Sequence, residues 1–164
     1  MKEELLFEFK VNKEEKTISI KREFQAEVSD VWEAWTKPEY LEEWAAPKPY
    51  KAVTITMDFR EGGFWHYAML SPQGDKHYSR YDYQKIVPQE LIVELRAFSD
   101  KDGNINPDFT RTICTNNFSE TNGKTLVSMV AQYGSLEILE KIVSMGFTEG
   151  MKACFNNLDE LLNK

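Results

Sequence analysis

Histidine and cysteine are scarce in this chain, with two of each in 164 residues. Nucleophilic hydrolysis needs a base beside a serine or cysteine, and His66 and His77 stand in no such constellation. Cys114 and Cys154 lie far apart, with no cysteine or histidine at ligand spacing, so no metal site is read and buried, reduced thiols are expected. No cofactor motif is present either. No apolar run approaches the length of a spanning helix. The start, "MKEELLFEFKVNKEEK", lacks the continuous apolar centre and small-residue cleavage site of a secretion signal, which predicts a cytoplasmic protein. Positive charge is in deficit. With 20 basic against 27 acidic residues the net charge is −7, so neither nucleic acid nor an anionic membrane is an expected partner. No repeat, low-complexity tract or linker divides the sequence, and its 41% hydrophobic content suits one domain over residues 1–164 with one core.

What is present is a succession of alternating segments. Leu5, Phe7, Phe9 and Val11 alternate, as do Ile18, Ile20 and Phe24, which predicts an N-terminal hairpin around "NKEEK". Ser29 is the expected cap of a short helix carrying Val31, Trp32 and Trp35, and Pro38 opens a second. Strands are then predicted over 51–59, 63–71, 76–87, 90–98, 109–119 and 124–133, joined by the short turns "SPQGD", "VPQE", "SDKDGN" and "ETNG". Such connections join antiparallel neighbours, so this is a meander. From Ser135, apolar residues from Leu136 to Leu161 recur at three- and four-residue steps, predicting one helix of roughly seven turns. The fold class is therefore α+β. A one-faced meander and a one-faced helix bury each other when the sheet curls around the helix, leaving a space for side chains or for a ligand.

The stretch "DFREGGFWHYAM" (58–69) poses the functional question most sharply. Gly62 and Gly63 precede a strand, where a phosphate-cradling loop would precede a helix, so they mark a bend. Alternation puts Trp65, Tyr67 and Met69 on one side, assigned inward, and His66 on the outer face in a structural role. Tyr81, Tyr83, Val127, Met129, Phe147 and Met151 are assigned to the same interior, which serves equally as plain core or as pocket wall. Buried phenols need partners for their hydroxyls, which argues against a sealed dry core. Arg111, between Phe109 and Ile113 in the alternation, is either the charged anchor of such a pocket or an outward arginine. Gly146 and Gly150, four apart in the last helix, each cost it about 1 kcal/mol relative to alanine. Either a strand packs unusually close to them or their missing side chains leave room. Glu42 and Glu43 read as a solvated helix face.

The order of elements resembles the helix-grip fold of the START-like, birch-pollen-allergen-like (SRPBCC) superfamily. More closely, "REFQA", "VWEAWTKPEYLEEW", Pro47, "DFREGGFWHYAM", the "PQEL" turn, "GKT" and "GFTEGMKACFNNLDELL" are similar to the family named after the activator of the ninety-kilodalton heat-shock chaperone ATPase. The resemblance runs from about Ile18 to Leu162. Tyr81 stands where many relatives have a small residue, which puts a phenol into whatever space the sheet encloses. Three functions follow as expectations. The first is a non-enzymatic domain binding a small, mostly apolar molecule between sheet and helix through Trp65, Tyr67, Met69, Tyr81, Tyr83, Arg111, Met129, Phe147 and Met151. The second, implied by the resemblance alone, is stimulation of that chaperone, although the eukaryotic activators carry an additional N-terminal domain for which this length leaves no room. The third, from related folds, is a cyclase or aromatase in which tyrosines and an arginine orient a polyketide.

Overall fold

Strand β1 (Phe7–Asn12) and strand β2 (Thr17–Phe24) pair antiparallel as the predicted hairpin, with Ile18, Ile20 and Phe24 fully buried on one face. These coordinates are a computed structural model, which describes residues 5–108 and 111–163. Helix α1 (Val28–Thr36) starts just ahead of Ser29. Its N-cap is Glu27, whose side chain makes no capping bond, and the Val28 N–H donates instead to Glu120 Oε1 at 2.7 Å. A carboxylate delivered from a distant strand thus replaces the expected serine at the positive helix end. Helix α2 (Pro38–Trp44) opens on its proline, and Trp44 Nε1 donates to the Ala34 carbonyl at 2.9 Å, fixing α2 against α1.

The meander follows as β3 (Lys51–Met57), β4 (Phe64–Leu70), β5 (Lys76–Val87), β6 (Leu91–Ser99), β7 (Thr112–Thr121) and β8 (Lys124–Gln132). Of the strand predicted to begin at 109, residues 109–110 lie outside the described ones, and pairing begins at Thr112. Eight strands form one curved antiparallel sheet in the order β1-β2-β8-β7-β6-β5-β4-β3, closed at neither edge. The double glycine before β4 is a bend. Gly62 has φ +83°, and a Cβ on Gly63 would lie 2.0 Å from the Asp58 carbonyl oxygen. Only glycines allow that reversal, which returns the chain to β5 through Tyr83 N–H to Gly63 O at 3.0 Å.

The C-terminal helical segment is two helices, not the single one expected: α3 (Leu136–Ser144) and α4 (Phe147–Leu162). Ser135 caps α3 as predicted, its Oγ accepting from the Ile138 N–H at 3.1 Å. The break falls at Gly146, whose φ of +87° is the left-handed conformation that ends helices. Apolar positions stay in step across it, so periodicity alone hides it. No helix among the described residues is long and apolar enough to cross a membrane.

Helix α4 packs on α1, α2, α3 and β2, and its two halves meet different surroundings. Phe155 and Leu158, in its C-terminal half, are fully buried; the Phe155 ring lies among Phe7, Phe24, Trp35 and Trp44 at centroid distances of 5.9–6.3 Å. Its N-terminal half, with Phe147, Gly150, Met151 and Cys154, faces a cavity. The helix-grip interior is thus filled at one end and hollow at the other.

Candidate functional site

The cavity has a volume of about 310 Å³. Its sheet wall carries Tyr67 and Met69 of β4, Ser79 and Tyr81 of β5, Arg96 and Phe98 of β6, and Thr112 and Cys114 of β7. Ile138 and Ile142 of α3, Met145 just after it and the first half of α4 form the opposite wall. A smaller chamber of about 40 Å³ lies alongside, lined by Trp65, Tyr83, Glu94 and Met129 among others. Tyr81, Arg96, Met151 and Cys154 border both chambers. The smaller one has room for a water or two, so a ligand body belongs in the larger.

Strand register explains the wall. Cross-strand pairing sets Trp65, Tyr81, Arg96 and Thr112 in one row, and Tyr83, Glu94, Cys114 and Ala131 in the next. Tyr67, in the row beside Trp65 and opposite Ser79, stacks on Trp65 at 3.9 Å, and Tyr81 meets both rings edge-on at 5.2 and 5.6 Å. The Tyr67 and Tyr81 hydroxyls are 3.2 Å apart. The Arg96 guanidinium sits 4.3 Å from the Tyr81 ring centre. It donates from Nε and Nη2 to Glu94 Oε1 at 3.0 and 2.7 Å, while Nη2 also lies 3.7 Å from Met129 Sδ. Glu94 Oε1 takes a third bond, from Asn116 Nδ2 at 3.2 Å. Burial pushes the Tyr67 and Tyr81 phenols above their ordinary range, so they stay protonated donors at neutral pH. Burial opposes the charge of Arg96, but Cys114, Tyr81 and Glu94 around it outweigh that and hold its proton more firmly than usual.

Of the residues assigned to the site from sequence, Tyr67, Met69, Tyr81, Phe147 and Met151 line the larger chamber. Trp65, Tyr83 and Met129 line the smaller one. Arg111 lines neither. Thr112 and Cys114 face inward, so parity sends Arg111 to the opposite face with Ile113, which is 44% exposed. There Arg111 Nη2 donates to Asp82 Oδ2 and to the Leu95 carbonyl, and Arg80 binds the same carboxylate. Phe109, its other flank in the alternation, lies outside the described residues. The arginine of the cavity is Arg96, which the sequence reading passed over together with Glu94. The signal was available: "ELR" sets opposite charges two apart on one face of an apolar strand. His66 is on the outer face as assigned, yet buried, because the loop after β6 folds over it and its Nε2 donates to the Asp100 carbonyl at 3.0 Å. His77 is exposed.

The glycine question resolves in favour of room. A Cβ built on Gly150 meets nothing within 4 Å, so no strand approaches there. The helix forgoes stability at this position where the cavity needs volume.

Both thiols are free and buried, and burial pushes Cys114 up to about 11 and Cys154 up to about 12 from an ordinary 9.0. At pH 8, thiolate is then about one part in a thousand for Cys114. Ellman's reagent is expected to leave the native protein unlabelled over minutes and to titrate both thiols in denaturant; prompt native labelling would contradict this burial. The same shift sets a pH dependence. Folded thiols that keep protons the unfolded chain releases contribute fully below about pH 9, and that stability is lost as pH rises through about 11. Melting temperatures should fall across that window.

A family model described as "Activator of Hsp90 ATPase homolog 1-like protein" matches residues 25–163. Among solved structures, protein Ms6760 from Mycobacterium smegmatis is 29% identical with a TM-score of 0.89, over 97% of each chain. A protein from Arthrobacter aurescens is 27% identical with a TM-score of 0.90, over 95% of this chain and 91% of its own. Protein NE0264 from Nitrosomonas europaea is 25% identical with a TM-score of 0.80, over 91% and 95%. No curated protein matches the chain significantly.

Proposed function

We propose that this chain, which belongs to the family of activator of Hsp90 ATPase homolog 1-like proteins, binds one small, mostly apolar molecule in the cavity between its sheet and its C-terminal helices. The fold is that of a ligand-binding or co-chaperone-like domain. The observation that favours binding is the cavity itself. Its volume of about 310 Å³ is at the lower end of small-molecule sites, and its wall is apolar apart from a few convergent polar groups. The unfilled space beside Gly150 supports the same reading, because a core selected only for stability would close it.

A neutral fluorophore, N-phenyl-1-naphthylamine, tests it. The wild-type protein should enhance its emission saturably. Gly150→Leu places a side chain into the hollow and should weaken binding at least tenfold. Gly150→Ala should raise stability by about 1 kcal/mol through helix propensity alone. An intact Gly150→Leu protein that binds as well as wild type, or a wild type that binds nothing, would sink the reading.

Family membership favours a second reading, stimulation of the ninety-kilodalton chaperone ATPase. Purified chaperone whose ATP turnover is unchanged by the protein at saturating concentration would retire it.

A further inference from the structure

We infer that the ligand carries a neutral hydrogen-bond-accepting head, of the ketone class, and that the site discriminates against the corresponding carboxylic acid. The inference rests on the binding reading above and concerns the chemistry of that same cavity.

Arg96 is the charged residue of the larger wall among the described residues, and a bare arginine in an apolar pocket would call for an anion. This one is already neutralised. Glu94 is 2% exposed and holds both Nε and Nη2 through a single oxygen. Glu94 itself borders only the smaller chamber, so it sits behind Arg96 as seen from the ligand space. A ligand carboxylate would put a second anion into a buried site that holds one compensated pair. It would either remain uncompensated or draw Arg96 away from Glu94 and strand that carboxylate. The protein's net charge of −7 opposes the anion further.

Hydrogen-bond donors are nevertheless on offer. Arg96 Nη1 has no partner among the described residues, and unlike Arg111 Nε and Asn116 Oδ1 it is not a sealed, unpartnered atom. The Tyr67 and Tyr81 hydroxyls, 3.2 Å apart, use one proton between them, and Ser79 meets the Tyr67 oxygen as a donor, which leaves the second phenol proton for a further acceptor. Tyr81 is the direct cross-strand neighbour of Arg96. A carbonyl oxygen satisfies these donors without adding charge, and an apolar body without a head leaves them unmet.

Three isosteric probes decide the matter by displacement of N-phenyl-1-naphthylamine at pH 7.5: 2-acetylnaphthalene, 2-naphthoic acid and 2-ethylnaphthalene. The ketone should compete at concentrations at least tenfold lower than either of the others. In Glu94→Gln, which keeps the shape but removes the counter-charge, the acid should gain at least tenfold relative to the ketone. If the acid equals or beats the ketone on the wild type, the head-group inference falls while the cavity stands. A ketone no better than 2-ethylnaphthalene removes the donor contact, and failure of all three against a bound fluorophore likewise overturns the inference. Absence of fluorophore binding defeats the binding reading instead. Should Glu94→Gln not fold, the wild-type ranking decides alone.

Discussion

Glu94→Ala alone should destabilise the fold by about 3–5 kcal/mol, whereas Glu94→Leu combined with Arg96→Met should cost far less. The asymmetry follows from what each change leaves behind. Glu94 Oε1 gathers Arg96 Nε, Arg96 Nη2 and Asn116 Nδ2 within 3.2 Å, and the two charged side chains are only 3% and 16% exposed. Removing the carboxylate strands a guanidinium, and an arginine is too basic to escape by becoming neutral. Removing both charges strands only Asn116, whose Nδ2 keeps the Ile92 carbonyl at 3.1 Å. Urea denaturation of Glu94→Leu, of Arg96→Met and of the pair gives the coupling energy directly. A Glu94→Ala protein within about 1 kcal/mol of wild type would mean that water compensates Arg96 and that the pair is not desolvated. That result would also weaken the case for discrimination against acids.

Much of this architecture is legible in the chain because alternation and turn chemistry are local properties. Short turns with Pro, Asn, Asp and Gly can only join antiparallel neighbours, so the meander from β3 to β8 is read correctly, and parity on β4 and β5 orients Trp65, Tyr67, Tyr81 and Tyr83. Where pattern and structure part, the deciding feature is one that a hydropathy pattern does not carry. Arg111 could be counted with the site because Phe109 and Ile113 flank it in the alternation, yet the buried side of β7 is made by Cys114, Asn116 and Phe118, and Ile113 lies 44% exposed on the other side. Glu94 and Arg96 cancel each other electrically but not in a hydropathy pattern, so their strand reads as apolar with two interruptions. Gly146 keeps the helical step while adopting a left-handed φ, and a periodicity count cannot see a dihedral. The hollow itself is a sum over six elements, so no single segment encodes it. Only Gly150 hints at it locally, as a helix-interior glycine with nothing packed against it.

The division of the interior into a filled and a hollow half makes a quantitative claim about two residues one helical turn apart on α4. Phe155→Ala should cost about 3–5 kcal/mol, the range for a fully buried phenylalanine, and lower the melting temperature by roughly 10 °C for a chain of this size. Its ring closes an aromatic cluster, edge-on to Phe24 at 6.0 Å and beside Trp35 and Trp44 at 5.9 and 6.1 Å, and Trp44 is pinned in turn by its bond to the Ala34 carbonyl. Neighbours held this way cannot collapse into the gap, so the cavity term adds to the lost transfer energy. Met151→Ala, four residues earlier, should cost less than half as much, because Met151 already borders both chambers and its removal enlarges an existing space. Thermal melts of the two variants measure the difference. Equal losses at 151 and 155 would mean that the first half of α4 is as tightly packed as the second, leaving no hollow for a ligand to occupy.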